Sequence, residues 1–111
     1  ERHMIIYFKH NSNELPDQSF QALNKIADFM LKTPSATLDI KGYSDSTGNY
    51  GYNKTVSRFR ANTIKIYLVG KGVDPVKIQT DGLGSENPIA SNETEEGRRK
   101  NHRVELEINF N

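Results

Sequence analysis

The stretch Arg103-Val-Glu-Leu-Glu-Ile-Asn-Phe110 alternates apolar and polar side chains without a break. A repeat of two is the signature of a β-strand with one buried face. It directs Val104, Leu106, Ile108 and Phe110 toward a core, and Arg103, Glu105, Glu107 and Asn109 toward water. A strand covered on both sides would instead read as a continuous apolar run. The sheet that holds this strand is therefore covered on one face only, which leaves two-layer architectures.

The covering layer is helical. Phe20, Leu23, Ile26, Ala27 and Met30 step by three and four, the spacing of an amphipathic helix. Glu14-Leu-Pro-Asp17 opens it, with Pro16 and Asp17 suited to a first turn, and Thr33-Pro-Ser35 stops it. A second helix is predicted from about Tyr52 to Val69, closed by Gly70-Lys-Gly72. Further strands are read at Met4–Phe8, at the alternating Thr37–Tyr43, and at Lys77–Asp81, which ends at Gly82 and Gly84. Thr94-Glu-Glu-Gly-Arg98 gives a short helix. The expected fold is α+β: a two-layer α/β sandwich with a mixed sheet of about four strands, two main helices on one face and a short third helix.

Length and composition narrow the function classes. The 111 residues suit one domain, 1–111. The abrupt start at Glu1 reads as a domain excised from a larger protein. His3-Met4 has the look of a cloning remnant and receives no functional weight. Fifteen basic and fourteen acidic residues leave a formal net charge of +1, without the basic excess that phosphate neutralisation requires, so nucleic acid is not an expected partner. The absence of cysteine excludes disulfides, thiolate metal sites and cysteine nucleophiles. No run approaches the length of a membrane-spanning helix, so membrane attachment is expected only through the remainder of a parent protein. The three histidines lack metal spacing, no serine sits in a nucleophile elbow, and Asp81-Gly-Leu-Gly-Ser-Glu86 lacks the spacing of a phosphate loop. Neither enzyme, nor cofactor, nor metal is expected.

Two charges stand out between Gly42 and Ala61, where a strand gives way to a loop and then a helix. Asp45 lies in the loop. Arg60 interrupts a row of Val56, Ile64 and Leu68 that repeats every four residues and should be apolar. One reading pairs a carboxylate for an ammonium with a guanidinium for a carboxylate, a receptor for an amino-acid head group. The other has Asp45 cap the loop while Arg60 pairs with it or reaches water, and pattern alone favours this second reading. Asn53 reads as a cap or loop residue, Arg98, Arg99, Lys100 and Arg103 as a solvated basic face, and Tyr50, Tyr52 and Phe59 as packing residues.

The segment G-Y-S-D-S-T-G-N-Y-G-Y-N-K-T-V-S-R-F-R-A (42–61) resembles the signature of OmpA-like peptidoglycan-binding domains, G-H-T-D-x-x-G followed by Y-N and L-S-x-x-R-A. The likeness continues through Gly70–Val73, Gly82–Pro88 and Asn92. It closes with G-R-R-K-N-H-R-V-E (97–105) against G-R-x-x-N-R-R-V-E. The resemblance implies non-covalent binding of the peptidoglycan stem peptide, with Asp45 holding the ammonium and Arg60 the carboxylate of meso-diaminopimelate. It implies further that His10 and Asn11 line the pocket, that Thr47, Asn53 and Val56 support its wall, and that Arg103 supports pocket or fold. The implied place is the Gram-negative periplasm, as the wall anchor of an envelope protein. The alternative is an interaction or dimerisation domain, a homodimer, with weak wall affinity. Departures are Tyr43 and Ser44 for the usual His-Thr, with Tyr43 placed to alter pocket bulk, Lys9 where an acid is frequent, and His102 for an arginine.

Overall fold

A computed structural model describes residues 2–9, 12 and 14–110. His10 and Asn11, expected to line the pocket, lie outside the described residues. In chain order the elements are β1 (His3–Tyr7), α1 (Ser19–Lys32), β2 (Thr37–Tyr43), α2 (Tyr50–Gly70), β3 (Ile78–Gly84), α3 (Glu95–Asn101) and β4 (Arg103–Asn109), with a 3₁₀ turn at Pro75–Lys77 before β3. The strands form one mixed sheet in the order β1-β4-β2-β3. Antiparallel pairs join β4 to β1 and β2, while β2 and β3 run parallel, a pairing that needs α2 as its crossover.

The alternation in β4 holds as read. Val104, Leu106 and Ile108 are buried with Ile6, Leu38, Ile40 and Ile78 from the other strands. Leu23, Ile26, Ala27 and Met30 of α1 and Ala61, Ile64 and Leu68 of α2 join the same cluster, so both main helices cover one sheet face. Burying each of these larger side chains contributes about 1.5–3 kcal/mol.

Several boundaries shift for local reasons. His3 pairs with Glu107 and Met4 with Leu106, so the supposed remnant belongs to β1. The Pro16 carbonyl accepts from both the amide and the hydroxyl of Ser19, closing a turn that delays α1 to Ser19. The Asn49 side chain accepts from the Tyr52 amide at 2.9 Å, capping α2 two residues before its expected start. Asn53 is therefore not the cap. β3 runs on through its glycines because α2 lies directly upon the sheet there. A Cβ on Gly42 would stand 1.9 Å from the Ser57 carbonyl oxygen, and one on Gly82 would stand 2.5 Å from Arg58 Cβ.

Arg103 corrects the reading of β4. It points away from the helices as the alternation requires, yet it is only 1% exposed. Its guanidinium lies 3.9 Å from the Tyr43 ring centroid, and it donates to Glu105 at 2.7 Å and to the Asn87 carbonyl at 2.8 Å. The loop after β3 covers this part of the outer face. Tyr43 belongs to the same cluster, so its bulk is spent on Arg103 rather than on the pocket. Burial, then the Glu105 charge, pushes the Tyr43 hydroxyl above its ordinary pKa.

Candidate functional site

Asp45 and Arg60 lie at the same end of the sheet, where β2 hands over to α2, on either side of one side chain. The loop carrying Asp45 is held locally. Ser44 donates from its amide to the Gly84 carbonyl at 2.7 Å, and Asn53 donates from Nδ2 to the Thr47 carbonyl at 2.7 Å. The Ser46 amide donates to Asn92 Oδ1 at 3.3 Å, tying the loop to the segment before α3. Asp45 itself is 3% exposed, and its Oδ1 accepts from the Thr47 amide at 2.7 Å.

Arg60 is 2% exposed, as its place in an apolar row requires. Its Nε donates to the Ser12 carbonyl at 3.1 Å, and its guanidinium sits 5.5 Å from the Phe8 ring centroid. Burial pulls its pKa below the ordinary arginine value, while the charge of Asp45 acts in the opposite sense. It remains a cation, since arginine does not deprotonate in proteins.

Between the two charges stands a residue that pattern reasoning passed over. His102 caps the C-terminus of α3 and is 7% exposed. Its Nε2 lies 2.6 Å from Asp45 Oδ2 and its Nδ1 lies 3.2 Å from Arg60 Nη1. Arginine has only donors, so Nδ1 must accept. An arginine donating to Nδ1 calls for a neutral imidazole, its proton on Nε2 and donated to Asp45. Burial alone would raise the Asp45 carboxyl, but hydrogen bonds from Thr47 and the neighbouring His102 outweigh it, and its pKa falls below the ordinary value. An aspartate–histidine pair is also the base and its orienting partner in hydrolytic triads. Here both ring nitrogens are engaged by charged groups, which leaves no lone pair to accept a proton from a nucleophile.

A cavity of about 350 Å3 opens beside this cluster, lined by Asp45, Thr47 and His102 on one side and by Glu95, Arg98 and Arg99 of α3 on the other. Arg60 and Asn53 stand behind this lining: Arg60 reaches Asp45 through the His102 ring, and Asn53 holds the Thr47 carbonyl. Val56 lies one turn before Arg60 on the same row and is half-buried. Arg103 is carried to the opposite face of β4. Of the basic face, Arg98 donates to the Asn92 carbonyl at 3.0 Å and Arg99 pairs with Glu95 at 2.6 Å. Tyr50, Tyr52 and Phe59, expected to pack, are 54%, 69% and 59% exposed, because α2 turns Ser57, Arg60, Ala61, Ile64 and Leu68 inward instead.

A mixed four-stranded sheet backed by two helices, with a buried acid–base pair where the β2–α2 loop meets the last helix, defines a class of small α+β domains built around a charged recess. The chain belongs to the OmpA family, whose model matches residues 7–102. It is 45% identical over 104 residues to the peptidoglycan-binding protein ArfA of Mycobacterium tuberculosis, covering 94% of this chain and 32% of ArfA. To outer membrane protein A of Bordetella avium it is 42% identical over 102 residues, covering 92% of this chain and 53% of that protein. The chain thus spans little more than half of these curated relatives at most. Among solved structures it is similar to the peptidoglycan-associated lipoprotein from Burkholderia pseudomallei, with a TM-score of 0.91, 27% identity, and coverage of 98% of this chain and 91% of that one.

Proposed function

We propose that the chain binds peptidoglycan without covalent chemistry, taking the amino-acid head group of diaminopimelate in the stem peptide. It would thereby tether a larger envelope protein to the cell wall on the periplasmic side. The observation that carries this reading is the pair of buried opposite charges, Asp45 and Arg60, held apart by one imidazole, with Asp45 and that imidazole lining a cavity and Arg60 behind the ring. A zwitterion fits such a pair: its ammonium matches Asp45 and its carboxylate matches the Arg60 fork. Low local dielectric strengthens both contacts. The names of ArfA and of the Burkholderia lipoprotein support the same ligand class.

Calorimetric titration with a diaminopimelate-containing muropeptide tests the proposal. Saturable binding by the wild type is expected, with loss in Asp45→Asn and in Arg60→Gln while circular dichroism shows each still folded. Undiminished binding by either folded variant removes the two-charge mechanism. One observation favours a second reading, an interaction module: Tyr52, Phe59 and Ile66 recur every two turns on α2 and are all strongly exposed. Absence of binding by every folded form, wild type and variants alike, favours that reading over the first.

A further inference from the structure

The site contains its own occupant. In the tautomer fixed by Arg60, the His102 ring offers an N–H to a carboxylate and a lone pair to a guanidinium. An amino-acid head group offers the same two things to the same two partners: an ammonium N–H for Asp45 and a carboxylate oxygen for Arg60. We propose that His102 is the specificity-determining residue of this site, an internal stand-in for the head group that must be displaced when the ligand binds. The inference rests on the stem-peptide reading above and adds a competitor to it.

The geometry allows the exchange without moving the fold. The His102 backbone is fixed, its amide donating to the Arg98 and Arg99 carbonyls and its carbonyl accepting from the Phe8 amide at 3.1 Å. Only the ring need rotate, and the cavity of about 350 Å3 that it already lines offers the space. Exchange also sets a threshold for what can enter. Releasing His102 gives up one hydrogen bond at each of two buried charges, and a bond lost by a buried charge is costly. A zwitterion replaces both bonds with charge-assisted ones. A simple amine or a simple carboxylate replaces one and leaves the other charge one hydrogen bond short. His102 therefore excludes half-matching groups, at the expense of affinity for the matching one.

Two measurements test this. In titrations with the same muropeptide, His102→Ala should bind about tenfold or more tightly than wild type, the factor expected when a competing hydrogen bond to a charge is removed. His102→Gln, whose amide can still donate to Asp45 and accept from Arg60, should stay near wild type. On the unsubstituted protein, ¹⁵N spectra of labelled histidine should show a fixed Nε2–H tautomer in the free state. At ligand saturation His102 should become an averaged, solvent-like ring. Weaker binding by His102→Ala, or a wild-type complex in which the tautomer signature is unchanged, overturns the inference and leaves the wall-binding reading standing. Binding by His102→Ala where wild type shows none supports both. Failure of every form to bind removes the wall-binding reading and this inference with it.

Discussion

Asn101 offers a quantitative test of how the site is held. It is fully buried, and its side chain makes four hydrogen bonds. Oδ1 accepts from the amides of Ile89 and Ala90 at 2.8 and 3.1 Å, and Nδ2 donates to the Ala90 carbonyl at 3.0 Å and to Asn92 Oδ1 at 2.9 Å. Asn101→Asp keeps the volume and the acceptor but turns two donors into an oxygen facing two other oxygens. An ionised carboxylate is untenable there, so the introduced group must stay protonated. Holding a carboxyl of ordinary pKa about 3.9 neutral at pH 7 takes about three units, or roughly 4 kcal/mol. The surviving O–H replaces only one of two donated bonds, a further loss of about 1 kcal/mol. The total of about 5 kcal/mol at pH 7 is a large share of the stability of a domain this size. The sign follows from a folded pKa raised above the unfolded one: the loss grows as pH rises beyond about 4. At pH 4.5 it should shrink to about 2 kcal/mol. Urea denaturation of both proteins at the two pH values measures this directly. A loss below about 1 kcal/mol at pH 7, or an equal loss at both pH values, would refute the assigned orientation and dryness of the amide. Because Asn92 Oδ1 also accepts from the Ser46 amide, the same variant should loosen the loop that carries Asp45.

Gly42→Ala places a methyl 1.9 Å from the Ser57 carbonyl oxygen and 2.7 Å from its carbon, so α2 must lift from β2, with a loss of about 3 kcal/mol or more. Urea midpoints check it, and a near-neutral result would mean that helix and strand are farther apart than described. The lowered Asp45 pKa predicts an acid-sensitive contribution, present above the ordinary carboxyl value of 3.8 and lost as pH falls through the depressed folded value. The stability gap between wild type and Asp45→Asn should therefore be full at neutral pH and close below about pH 4; a gap constant down to pH 2 would contradict the assignment.

What the sequence makes legible follows from whether a residue's role is set by its neighbours in the chain. β2 was read at Thr37–Tyr43 and observed there, because its alternation needs no knowledge of its partners. Arg60 was visible as a fault in an apolar row, and a fault of that kind signals a buried charge with a companion somewhere. The companion's identity was not visible. His102 reaches Asp45 across 57 residues, by way of the pairing of β4 with β2, and nothing in its immediate surroundings reports that topology. Its one local signal was its position, a titratable ring in place of an arginine at the junction of α3 and β4. Arg103 shows the complementary error. Alternation states which face of a sheet a side chain occupies, and Arg103 occupies the expected face. Whether that face is wet depends on Asn87 and Tyr43, brought over it by a loop whose course no periodicity encodes. Next to each other in sequence and both strongly buried, His102 and Arg103 serve opposite sides of the sheet. A period of two separates them correctly, but assigning the recess to one and the outer cluster to the other requires the fold.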